Sequence, residues 1–109
     1  MDKIKVAFCG CGGRGGWLSK TAIQTGEYEV VAVCDPLFDR AEKLADELAE
    51  KQGLKPLAFA DYKEMFEVAK PYCTIIACSW EDHVKIAVDA MKRGILVGME
   101  VGGAYNEQE

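Results

Sequence analysis

The chain has 109 residues, half of them hydrophobic, and a net charge of -5. That length buries one ordinary core and leaves hardly any room for a second, so residues 1–109 are read as a single domain. Lys and Arg are scattered among acids, which argues against nucleic acid or an anionic membrane as partner; no run approaches the ~20 apolar residues of a membrane span, and nothing resembles a signal peptide. A cytoplasmic location is expected. Five cysteines are an odd number, and Cys9, Cys34, Cys73 and Cys78 lie within or beside apolar runs, which fits small buried thiols better than a disulfide framework. Their spacing offers no metal site.

Short apolar runs alternate with longer stretches of helical spacing. Lys3 to Cys9 predicts a first strand, and Arg14 to Thr25 a helix closed by Gly26. Glu29 to Cys34 is the second strand. From about Leu37 to Gln52 the stripe of Leu37, Ala41, Leu44, Ala45 and Leu48 predicts a helix that Gly53 ends. Leu57 to Ala60 is a short third strand, after which Asp61 and Glu64 form a capping pair for a helix carrying Tyr62, Met65, Phe66 and Ala69, stopped by Pro71. Cys73 to Cys78, apolar almost throughout, reads as a central strand buried on both faces. Val84, Ala87, Val88 and Met91 recur at helical spacing up to Gly94, and Ile95 to Met99 is a fifth strand.

Five strands alternating with helices imply parallel pairing with crossovers of one hand. The expected fold is α/β, a doubly wound parallel sheet of the Rossmann type with strand order 3-2-1-4-5. Ligands in such sheets gather at the carboxyl ends of the strands where the order reverses, between the first and fourth. The stretch "CGCGGRGGW" follows the first strand directly. In it Gly10, Gly12 and Gly15 match G-x-G-x-x-G: a tight turn, an approach path for a pyrophosphate, and close helix-strand packing. Free amides and the helix dipole supply the attraction there, with Gly13 in the same cradle. Arg14 either contacts the pyrophosphate or lies in solvent.

Asp35 lies twenty residues past Gly15, at the tip of the second strand. A carboxylate there can accept both hydroxyl hydrogens of an adenosine ribose and repels a 2′-phosphate, which favours NAD over NADP. It can also cap the helix after Pro36. Arg40, one turn on, either reaches a 2′-phosphate or pairs with a nearby acid.

With "KVAFCGCGGRGG", "VVAVCDPLFDRAEKLA", "HVKIAVDAMKRG" and Glu100 in view, the chain resembles the N-terminal half of the Gfo/Idh/MocA family over essentially its whole length. The resemblance implies an NAD(P)-dependent oxidoreductase passing hydride between a nicotinamide and a sugar, cyclitol or related polyol. It places Ser79 and Trp80 beside the nicotinamide side of the cofactor, His83 close by, and Glu100 facing the nicotinamide ribose. Read without the family, Ser79 is a helix-cap candidate, Trp80 a packing residue and His83 a first-turn helix residue.

Two departures stand out. Family members commonly carry Glu-Lys-Pro after the fifth strand, the lysine being associated with the active site, whereas Val101 and Gly102 follow Glu100 here. Valine can neither donate a proton nor polarise a carbonyl. A branch of the family resembling "EVGGAY" contains glycosidases that use tightly held NAD to oxidise a sugar transiently, eliminate across the ring and return the hydride. A non-catalytic dinucleotide-binding module is the third reading. The second departure is length: the family's substrate domain, with most of its acid-base groups, would follow, so the chain is expected to be a truncated half with its catalytic residues elsewhere. An uncovered fifth strand would favour homo-oligomerisation.

Overall fold

The computed structural model describes residues 3–10, 13–77 and 80–99, with the backbone alone at 13–15, 80–82 and 99. Nine elements alternate in chain order: β1 (Ile4–Cys9), α1 (Gly13–Gln24), β2 (Tyr28–Cys34), α2 (Phe38–Gln52), β3 (Leu57–Phe59), α3 (Tyr62–Ala69), β4 (Cys73–Ile76), α4 (Trp80–Lys92) and β5 (Leu96–Met99). All strand pairs are parallel, and the sheet runs β3-β2-β1-β4-β5. This is the doubly wound sheet that the alternation predicts, with strand ends shifted by a residue or two.

Each face of the sheet carries its own core. Val6 and Phe8 of β1 turn towards α1 and α2, meeting Leu44 and Leu48, while Ala7 and Cys9 turn towards α3 and α4, meeting Met65, Phe66 and Ile86. Of the α2 stripe read from sequence, Ala41, Leu44, Ala45 and Leu48 are buried, but Leu37 is not part of it: it is the N-cap position, before the helix starts, and is 55% exposed. The helix ends at Gly53, whose N–H donates to Ala49 O at 2.9 Å. A Lys20–Glu47 ion pair of 2.8 Å ties α1 to α2, and the ammonium holds the Glu47 carboxyl below the usual carboxylate range.

The expectation that β4 is buried on both faces is only half right. Thr74 and Ile76 are buried, but Cys73 and Ile75, which point to the other face, are half-buried, and Leu96 beside them on β5 is 56% exposed. The reason is topological: α1 and α2 cover the β3-β2-β1 half of that face, whereas α4 packs on β4 and β5 from the opposite side. Burial of Cys73 is nonetheless enough to push its thiol pKa up. Thr74 satisfies its hydroxyl by donating to Ala7 O across the strand pair at 3.0 Å.

One irregularity sets the register at the functional end. Val6 pairs with Val30, but Ala7 pairs with Ala32, so Val31 is an extra residue on β2. Val31 and Ala32 both pack against the α3–α4 core, and from there on the alternation of β2 is reset. Gln52, the last residue of α2, completes the distortion. Its amide accepts from Val30 N–H at 3.0 Å and donates to Val30 O at 2.9 Å, doing for β2 what a longer β3 would do, since β3 begins only opposite Ala32.

Candidate dinucleotide site

The carboxyl ends of β1, β2 and β3 open into a cleft of about 270 Å³. Its floor is made by Cys9 of β1, Gly10 just after it, and Cys34 of β2, the bulge bringing Cys9 and Cys34 into register as neighbours. Gly10 N–H donates to Cys34 O at 2.7 Å, extending the ladder one residue past β1. There the backbone turns: Gly10 has φ 97, a left-handed conformation that costs an L side chain strain. The first glycine of the motif therefore does what the spacing predicts of it.

Helix α1 starts just beyond this turn, at Gly13, and its first turn contains no acidic residue. The contrast is informative, because α2 and α3 each carry an acid there, Asp39 and Glu64, to offset the positive end of the helix. The N-terminus of α1 has no such internal anion and is suited to an external one.

At the tip of β2, Asp35 is buried, 6% exposed. Its N–H donates to Phe59 O at 3.0 Å, tying the tip to β3, and its carboxylate oxygen Oδ1 accepts from Leu37 N–H at 2.8 Å. This is an Asx turn. The alternative of Asp35 as the cap of α2 is thereby corrected: the N-cap position is Leu37, with no side-chain cap bond, and Asp35 lies two residues before it. The turn fixes the carboxylate at the strand end, between two residues, Cys34 and Pro36, that line the cleft. Arg40, in the first turn of α2, is exposed.

The far wall comes from α3 and α4: Asp61, Tyr62, Lys85 and Ile86. Asp61 caps α3 as expected, accepting from Lys63 N–H at 2.9 Å. Tyr62, Lys85 and Ile86 are cleft residues that reading the sequence assigns only to helices. The available signal is positional, since Tyr62 lies three residues beyond the end of β3, on the ligand edge of the sheet. His83 is buried at 7% exposure, one turn before Ile86 on α4. Gly12, Ser79 and Glu100 lie outside the described residues, as do the side chains of Arg14 and Trp80; Gly13 and Gly15 are placed by backbone as the opening of α1. Among the described residues, no group of three or more His, Cys, Asp or Glu could hold a metal ion, and no helix is long and apolar enough to cross a membrane.

A glycine turn and an acid-free helix start at the carboxyl edge of a doubly wound sheet, with a buried carboxylate one strand away, are the arrangement of a dinucleotide-binding domain. The comparisons with known proteins agree. Residues 4–101 match the model of the Gfo/Idh/MocA oxidoreductase family, NAD-binding Rossmann fold, and the chain belongs to that family. Glycosyl hydrolase family 109 protein 1 of Akkermansia muciniphila is 37% identical over 114 residues, an alignment covering 100% of this chain and 24% of that protein. Among solved structures, a dehydrogenase from Chromobacterium violaceum superposes with a TM-score of 0.78 at 21% identity, over 91% of this chain and 28% of that one. Scyllo-inositol dehydrogenase from Lactobacillus casei, with bound NAD(H) and scyllo-inositol, gives 0.71 at 20%, over 90% and 28%. At these identities the structures attest the fold. The chain thus spans about a quarter of the length of the proteins it matches.

Proposed function

We propose that this chain holds NAD, in preference to NADP, for an enzyme that passes hydride between the nicotinamide and a carbon of a sugar, cyclitol or related polyol. The observation that carries the reading is the buried Asp35 carboxylate, pinned by its Asx turn beside the Gly10 turn. An anionic acceptor there suits ribose hydroxyls and opposes a 2′-phosphate. NAD, when bound, supplies a reversible hydride acceptor. The residues of this chain bind and orient it: Gly10, Gly12, Gly13 and Gly15 for the pyrophosphate, with Arg14 at its edge, and Asp35 for the adenosine ribose. Ser79, Trp80, His83 and Glu100 stand towards the nicotinamide in this reading.

A second reading has a specific observation behind it. The 37% identity to a glycosyl hydrolase, together with Val101 and Gly102 where the family commonly has lysine and proline, supports a glycosidase in which the hydride returns to the sugar and NAD is regenerated each turnover. In both readings this chain, which spans about a quarter of the length of its relatives, binds NAD weakly and turns over little by itself. The test uses a protein of the relatives' full length. Net reduction of NAD by polyols supports the oxidoreductase; release of nitrophenol from aryl glycosides without net NADH supports the glycosidase. Cofactor binding with neither activity would leave a dinucleotide-binding module, and the hydride-transfer proposal would fall.

A further inference from the structure

We propose that Tyr62 is the wall on which the adenine ring of the bound dinucleotide stacks. The inference rests on the reading of Asp35 as the ribose acceptor. If phosphates enter at Gly10 and the ribose is held between Cys34 and Pro36, the base continues into the remainder of the cleft, lined by Ala60, Asp61, Tyr62, Lys85 and Ile86. Of these only Tyr62 offers a π face.

That ring is already held. Phe66, one turn along α3 and 2% exposed, meets it edge-on with centroids 6.0 Å apart and planes at 68°. The Asp61 cap fixes the backbone at the same place. Tyr62 is half-buried, so packing on Phe66 leaves part of it towards the cleft. A ring ordered in advance loses little entropy on binding a flat base. Ile86, buried on α4, supplies a second apolar surface, so the pocket recognises a planar heteroaromatic base by stacking.

The experiment is calorimetry of this chain with NAD and with ADP-ribose, which lacks the nicotinamide, comparing the parent with Tyr62→Phe and Tyr62→Leu. Phenylalanine keeps the face and is expected within about twofold of the parent. Leucine keeps an apolar contact with Phe66 but not the face, and weakens both ligands alike, roughly 5- to 100-fold, a range set by the usual worth of base–aromatic stacking. In the parent, adenine absorbance should fall on binding, a signature of stacking that needs no variant. A leucine variant as tight as the parent, or binding without that fall, overturns the role of Tyr62 and leaves the Asp35 reading intact. A parent chain that binds neither ligand overturns the Asp35 reading and this inference with it.

Discussion

The two ends of the sheet make an instructive pair. At the amino ends of the strands an open hollow of about 670 Å³ lies among Lys3, Ile4, Lys5, Lys70, Pro71 and Tyr72. It is more than twice the volume of the carboxyl-end cleft, about 270 Å³. Yet it is lined by loop ends and exposed lysines; its left-handed glycine, Gly94 at φ 80, only closes α4, and its lining residues include neither a carboxylate nor a helix start. The smaller cleft has a glycine turn directly after β1, a pinned carboxylate and a helix start nearby. In a parallel sheet every strand delivers its chain to the same edge, where helix N-termini also begin, so converging backbone amides accumulate at one end only. Volume alone does not identify a site; the direction of the strands does.

Substitutions sharpen that contrast. The largest effect is expected at the carboxyl end, where Gly12→Val fills the phosphate space and abolishes NAD binding by calorimetry. A variant binding as well as the parent would sink the assignment of the glycine turn. Asp35→Ala should weaken NAD by roughly 10- to 100-fold, the worth of hydrogen bonds to a charged acceptor, and narrow the margin over NADP. Equal losses for both cofactors would mean that the carboxylate acts only through its Asx turn.

Between the two ends, Gln52→Ala should cost about 2 kcal/mol in urea unfolding, because it strips both hydrogen bonds from the buried Val30 peptide groups. A cost near zero would show that water or a shifted β3 replaces the amide. The smallest change is expected at the amino end. Lys70 sits at φ 46 as the C-cap of α3, a left-handed conformation that glycine adopts without strain. Lys70→Gly should raise stability by up to about 1 kcal/mol and leave NAD affinity unchanged. Altered affinity would give the larger hollow a role that its lining does not suggest.

Much of this architecture is legible in the residues because its signals are local. Periodicity marks α2, the glycines at 26, 53 and 94 close helices, and Gly10-x-Gly12-x-x-Gly15 between a strand and a helix announces the glycine turn seen at Gly10. The spacing to Asp35 is equally plain, since strand two must end where its apolar run ends. Tyr62 and Ile86 were hidden as cleft residues because a helical stripe says which side chains are apolar, not which lie at the mouth of the sheet.

By itself, the sequence determined the alternation of elements, the strand order and the place of the glycine turn and of Asp35 at the strand ends, since these follow from hydrophobic period, turn chemistry and the handedness of crossovers. Only the tertiary structure decided how β2 meets β1. The extra residue Val31 slips the pairing by one, and in a structure of period two such a slip exchanges the faces of everything that follows. That slip sets Cys34 beside Cys9 and brings Asp35 to the rim. The Gln52 amide that satisfies the bulged strand comes from 22 residues away, a distance at which no local pattern in the chain could have announced it.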